Sequence, residues 1–303
     1  MDLPFDFCEQ ISGLLPKDDL QVLSTVPNLF GYVAKIHIEK RIYLQLLIKT
    51  GAKPNTWQYI FCYKVGSKPV GHYDELKYVL ELDLKYIRTV SISFYTSSYA
   101  YSMFPWILWS EDHDSTYIIS HILSLAMLNV SPSVATFFMH QTGFEPLFDY
   151  VVTFKTLFKQ LTLFHLGSAT ENYLDRHLEN APTETNMVKL IGDWPKTYQT
   201  VLKDHILSQN CKRFFCSIDG ATQFDETDFE FLEAIFGKIQ KVESFDLHFK
   251  ARLSENWGKA ETFRMDEQVR PNQEDEIEWV VNKHNICVNL SLGRVSVDSI
   301  LRL

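Results

Sequence analysis

The residues equipped for chemistry are few and poorly grouped. Glu111-Asp112-His113-Asp114 has the donor types of a hard-metal site, but consecutive side chains point in different directions, so the run reads as a solvated turn. Asp175 and His177 read as one helix surface, and Trp194 before Pro195 as core at a strand-helix junction rather than a substrate anchor. None of the ten histidines is spaced with a cysteine and an acid as a nucleophilic triad would suggest. GxGxxG, P-loop, HExxH and GxSxG motifs are all missing. Cys8, Cys62, Cys211, Cys216 and Cys287 contain no CxxC and read as small buried hydrophobes. The expectation is no catalytic residue, no metal and no cofactor. The enzymatic alternative, an unrecognised α/β hydrolase or transferase, would need a His, an acid and a nucleophile converging in one pocket.

Composition points the same way, toward surfaces rather than reaction centres. The 303 residues are 46% apolar and 22% charged, within the globular range, and 22 Phe, 14 Tyr and 6 Trp supply ample area for cores and contacts. With 38 acidic against 29 basic residues the net charge is -9, which repels a phosphate backbone, and no basic stripe compensates; nucleic acid is not the expected partner. The acidic start, Met1 to Asp6, lacks the apolar core of a secretion signal, so an intracellular location, cytoplasm or nucleus, is expected. Two uncharged stretches, 89–110 and 115–139, are interrupted by Ser, Thr, His121, Asn129, Pro105 and Pro132, and read as core rather than membrane spans.

The elements that would present such surfaces begin with three short helices. Phe7, Ile11, Leu14 and Leu15 share a helical face. Pro16 stops that helix, Asp18 is placed to cap a second through Leu20 and Leu23, and Pro27 fits the first turn of a third carrying Phe30 and Val33. A forty-residue segment buries too little of its own surface to stand alone, so its large apolar side chains must rest on the body or on a partner.

The order Leu3-Pro4, Ile11, Leu15-Pro16, Asp19-Leu20, Leu23-Ser24 and Val26 resembles the F-box, and the opening Pro4-Phe5-Asp6-Phe7-Cys8-Glu9 looks like the F-box families expanded in nematodes. The resemblance implies that Leu3, Pro4, Ile11, Leu15, Pro16, Leu20, Leu23, Val26 and Phe30 pack the F-box and contact a Skp-type adaptor, and through it a cullin. Phe30 stands where the family usually has Trp. The implied role is a substrate-recognition adaptor that performs no chemistry and brings an unknown protein target to the ligase. A scaffold acting outside any ligase is the second reading.

Beyond residue 41 the period changes. Ile42, Leu44, Leu46 and Ile48 alternate, as do Trp57, Tyr59, Phe61, Tyr63 and Val65, which predicts a β-hairpin over 41–66 with one buried face. Residues 75–84 read as one helix with Leu76, Val79 and Leu80 inward. An apolar-x-x-apolar-x-apolar pattern then recurs from Ile87-x-x-Val90-x-Ile92, at 134–139, 158–163, 185–190, 211–216 and 242–247, with predicted helices at 145–156, 170–181, 195–208 and 228–239. Ser168 with Glu171 and Thr227 with Glu230 fit capping boxes, and Asp193 suits the start of the 195–208 helix. Alternation over 276–303, with a tight turn at Gly293-Arg294, predicts a three-stranded antiparallel meander closing the stack.

The expected fold is thus mixed, α+β or α/β. A three-helix F-box (1–40) precedes a substrate-binding body (41–303) of leucine-rich-repeat-like β-α units over 87–250, ending in the meander. A general α/β body without repeats has the same coarse order.

Overall fold

The computed structural model describes residues 4–66, 72–74, 76–131, 135–180, 186–195, 197–208 and 234, together with strands at 213–219, 246–251, 270–271, 276–281, 284–291 and 294–299. The chain is mixed α/β and divides into two compact units, Met1–Phe158 and Lys159–Leu303. The division therefore falls at 158/159, later than the expected boundary at 40/41. The β-α series of 87–250 is shared between the units.

In the first unit, prolines punctuate the helices. Helix α1 (Phe5–Leu14) follows Pro4, carries Asp6 in its positive first turn, and ends where Pro16 forces Leu15 into an extended conformation. Helix α2 (Lys17–Leu23) starts directly after Pro16, so Asp18 lies inside its first turn, favoured by the dipole, instead of capping it. Helix α3 (Leu29–Lys40) is capped by Asn28, whose side-chain oxygen accepts the Gly31 N–H at 3.1 Å, and Pro27 precedes that cap rather than opening the helix. The turn from α2 into α3 is so tight that a Cβ on residue 31 would lie 1.9 Å from the Val26 carbonyl oxygen.

Strands β1 (Ile42–Thr50) and β2 (Trp57–Val65) form the expected hairpin, paired from Thr50 with Trp57 to Ile42 with Val65. β3 (His72–Asp74) adds to β2. The expected helix at 75–84 contracts to α4 (Leu76–Val79) and a 3₁₀ turn at Leu84–Tyr86; Val79 is buried, whereas Leu80 is exposed. β4 (Ile87–Tyr95) lies parallel to β1, and β5 (Thr136–Met139) parallel to β4, giving the order β5-β4-β1-β2-β3. Between β4 and β5 run α5 (Ser97–Met103), α6 (Ser115–Tyr117), a π-helical turn at Ile118–Leu123 and α7 (Ser124–Leu128); α8 (Glu145–Thr153) follows β5.

Inside this unit Phe94 stacks on Phe144 at 5.0 Å and meets Phe137 edge-on at 5.3 Å; side chains so buried contribute about 1.5–3 kcal/mol each. The hairpin buries both faces, not one. Leu44, Leu46 and Ile48 are sealed, but so are Leu47, Lys49 and Ile60, because Phe104, Ile107 and Trp109 cover that second side.

In the second unit β6 (Gln160–Phe164), α9 (Ser168–Asn180), β7 (Asn186–Ile191), α10 (Thr197–Leu207), β8 (Arg213–Asp219) and β9 (Asp246–Ala251) succeed one another. The strands are parallel, with Leu161, Val188, Cys216 and Phe249 in register. β10 (Arg270–Pro271), β11 (Glu276–Val281), β12 (His284–Ser291) and β13 (Arg294–Ser299) form an antiparallel run whose last strand pairs with β9, so the meander adjoins the parallel set at β9. The Ser168–Glu171 capping box does not form: Glu171 instead pairs with His165 at 2.8 Å, and Thr170 accepts the Leu166 N–H. Outside the described residues lie Leu3, the turn around Pro69, Val134, Thr185, Cys211, residues 242–245, the helix expected at 228–239 apart from residue 234, the Thr227–Glu230 box, Gly293 and most of the acidic stretch from 255. Among the described residues no helix is long and apolar enough to cross a membrane.

Candidate functional site

Helix α3 lies against both α1 and α2, and the edge-on pair of Phe7 and Phe30, 6.2 Å apart, helps join α1 to α3. Cys8, Leu20, Val33 and Ala34 are fully enclosed. Of the residues assigned to adaptor contact, Pro4 and Val26 are exposed, and Ile11, Leu15, Pro16, Leu23 and Phe30 are half-buried. Leu20 is a correction: at 0% exposure it packs the helices internally and offers nothing to a partner. Phe5, Phe7, Leu14, Val22, Leu29 and Tyr32 are exposed and were not assigned; Leu14 and Val22 stand 82% and 71% open. The spacing of Phe7, Ile11 and Leu14 along α1 is the signal that groups part of this surface.

These helices are fixed to the strands through the end of α1. A helix C-terminus leaves carbonyls without partners and carries partial negative charge. The Arg41 guanidinium, 2% exposed, donates to the Leu15 carbonyl at 2.6 Å and the Ser12 carbonyl at 2.9 Å, and Arg88 at the start of β4 donates to the Gly13 carbonyl at 2.8 Å. Each such charge-assisted bond is worth about 1.5–3 kcal/mol. Lys85 pairs with Glu9 at 2.9 Å on the outside of the joint, where it contributes little.

His37 sits in the same joint, edge-on to Tyr86, and among the described residues neither of its ring nitrogens finds a hydrogen-bond partner. Burial, then the charges of Arg41 and Arg88, push it down to about 4 against the opposing pull of Glu9. His177 on α9 is likewise pushed down to about 4, by burial and then by His205 and Arg176. Both are neutral in the fold, whereas the unfolded chain takes up their protons below about 6.5. Stability is therefore complete above pH 6.5 and lost as the pH falls toward 4, by up to about 3 kcal/mol for each histidine. Urea unfolding across pH 7.5 to 4 is expected to show its steepest decline in that window, and His37→Gln to flatten it. A flat profile would contradict the assignment.

A second surface stands at the other end of the same strands. Residues 97–113 are pinned at both ends: the Ser97 N–H donates to Thr50 Oγ1 at 3.1 Å, His113 exchanges two backbone bonds with Trp57, and the Ser110 N–H donates to the Tyr59 carbonyl while the Ser110 hydroxyl accepts the Tyr59 N–H. Between these anchors the segment crosses the sheet, turning Phe104, Ile107 and Trp109 inward and Tyr99, Tyr101, Met103, Trp106 and Leu108 outward. Beneath it lies Lys49, 1% exposed, with its ammonium 3.3 Å from the Tyr101 hydroxyl and facing the rings of Tyr101 at 4.4 Å and Trp109 at 5.2 Å. Cation-π contact supplies about 2 kcal/mol when desolvated, less than the several kcal/mol that burying an ammonium costs.

The run at 111–114 serves this architecture. Asp112 accepts the N–H groups of Ala52 and Lys53 and the Gln58 amide, His113 stacks on Tyr117 at 4.0 Å, and Asp114 caps α6 through the Tyr117 N–H. Among the described residues no group of His, Cys, Asp and Glu could hold a metal ion.

In the second unit a cleft of about 420 Å³ between α9 and α10 is lined by Asp175, Leu178, Glu179, Val201, His205 and Ser208. An acid, a His and a Ser do meet there. Asp175 accepts from the Tyr198 hydroxyl at 3.2 Å, and the Ser208 hydroxyl donates to the His205 carbonyl at 2.7 Å, so that hydroxyl proton is committed to its own helix end. Asp175 and His177, expected on one helix surface, part: Asp175 lines the cleft and His177 is enclosed. No family model, no curated protein and no solved structure matches this chain.

Proposed function

We propose that this chain is the substrate-recognition adaptor of an SCF-type ubiquitin ligase, docking a Skp-type adaptor, and through it a cullin, with its N-terminal helices while its body holds a protein target. One observation carries the reading. Of the sixteen exposed large apolar side chains among the described residues, seven lie between Phe5 and Tyr32 and five between Tyr99 and Leu108. The first group is anchored at Arg41 and Arg88, where β1 and β4 begin, and the second at Thr50 and Ser97, where they end. Nine-residue strands at about 3.3 Å per residue set the two surfaces roughly 26 Å apart on one stiff support.

That layout suits a bridge whose mechanism is proximity. Two partners held at a fixed span raise the effective concentration of the transfer, and the chain itself supplies no reacting group. We read the β-α succession of 87–250 as leucine-rich-repeat-like, with the meander beside β9 acting as its cap, and the setting as cytoplasm or nucleus. The six strands at the recurring apolar pattern support that reading.

The test is co-purification. Leu14→Asp combined with Val26→Asp changes only exposed positions, so the thermal midpoint should stay near that of the wild type while recovery of the Skp adaptor falls at least about ten-fold. Undiminished recovery from the folded variant rejects the docking claim. A cullin recovered with the wild-type chain separates a ligase subunit from a ligase-independent scaffold.

A further inference from the structure

We infer that the ends of β1 and β4 form a recognition site for a peptide carboxylate, in which the Lys49 ammonium receives an acidic side chain flanked by apolar residues. The inference gives the chemistry of the second partner in the bridging reading and rests on that reading only for its biological role.

The position follows from topology. β1 and β4 are parallel neighbours whose outgoing connections leave in opposite directions, one to β2 and the other toward β5 on the far side. In open α/β sheets the carboxyl ends of parallel strands are where ligands bind, and here those ends belong to β1, which turns back through a hairpin, and to β4, which crosses over toward β5. Lys49 on β1 and its register partner Tyr95 on β4 stand at that end, and Tyr95 stacks in turn on Tyr99.

The chemistry follows from what the ammonium lacks. It has three donors and, among the described residues, one hydrogen-bond partner, the Tyr101 hydroxyl, with ring faces elsewhere. No carboxylate among the described residues pairs with it. The indole N–H of Trp109, whose ring the ammonium faces, is buried and also has no acceptor among them. Donors without acceptors call for an anion. A lone cation matches the single charge of a carboxylate; a phosphate group usually draws a cluster of arginines.

Access and size point to a peptide. The ammonium is covered by the Tyr101 and Trp109 rings, and Tyr101 is 55% exposed on a short helix, so that part of the cover is a side chain with room to turn outward. Around it Tyr99, Met103, Trp106 and Leu108 present a rim of apolar and aromatic surface far wider than a free carboxylic acid could cover.

The full chain is tested on arrays of short peptides with blocked termini, carrying a central Glu, Gln or Lys between apolar residues, beside a second set in which the only carboxylate is the free C-terminus. Glu-centred peptides should bind about ten-fold more tightly than their Gln counterparts, with the C-terminal set below them. Lys49→Met should bring the Glu and Gln peptides to parity while melting no lower than the wild type, because an unpaired buried charge has been replaced by an apolar chain. No preference for Glu, a preference that survives Lys49→Met, or binding confined to C-terminal carboxylates overturns the proposal. So does a Lys49→Met protein that melts well below the wild type, since the ammonium would then already be satisfied within the fold. The Skp adaptor takes no part in this assay, so failure of the docking test leaves its readout intact.

Discussion

Leu20→Asp is expected to unfold the N-terminal helices, with a loss of at least about 4 kcal/mol, because it removes a fully enclosed leucine and leaves a carboxylate in its place. Hydrogen exchange should report it as fast exchange across α2 and α3, with the amides of β1 and β4 still protected. Val22→Asp, two residues away on an exposed position, should leave that protection unchanged. The pair matters for the proposed function, since Leu20→Asp would remove the proposed adaptor binding through unfolding alone and cannot test docking. Protected α2 amides in the Leu20→Asp protein would mean that the helices pack differently from the arrangement described.

Arg41→Met should have the next largest effect. The guanidinium is buried and holds the carbonyls of Ser12 and Leu15, so its removal leaves one buried and one part-buried acceptor without this donor at the negative end of α1. Losing these bonds is expected to cost about 3–5 kcal/mol. The consequence is local: α1 should exchange freely while the β1–β2 ladder keeps its protection. Arg88→Met acts on the neighbouring Gly13 carbonyl at the same helix end, and once the loss of Arg41 has freed α1 that bond is already gone, so the double variant should lose less than the two single losses added. Full additivity would show that the arginines act independently.

How much of this was legible in the sequence depended on whether the deciding neighbour was local. The alternation of Ile42 to Ile48 and of Trp57 to Val65 identified the hairpin because the pleat itself imposes that period. Its second buried face was not legible, since the covering residues Phe104, Ile107 and Trp109 arrive some fifty positions later. For the same reason Lys49 reads as an outward polar tooth of an alternating strand, and only the segment from α5 encloses it. Glu171 has the spacing of a capping box, yet His165 at the end of β6 competes for its carboxylate and wins. The three helices were readable from Pro4, Pro16 and the apolar spacing. That Leu20 turns inward while Val22 and Val26 turn outward depends on where α3 packs, which a seven-residue helix does not encode by itself.

Gly31 carries a genetic consequence. Every single-nucleotide missense change of a glycine codon introduces a Cβ, and here that atom would fall 1.9 Å from a backbone oxygen that belongs to the preceding turn and has no rotamer by which to retreat. The allele space at this codon is therefore close to empty, next to Tyr32, whose side chain faces solvent, so that a bound partner rather than the fold would constrain its codon. Within a population, loss of the three N-terminal helices would be inherited through such a silent-looking swap of one small residue for another.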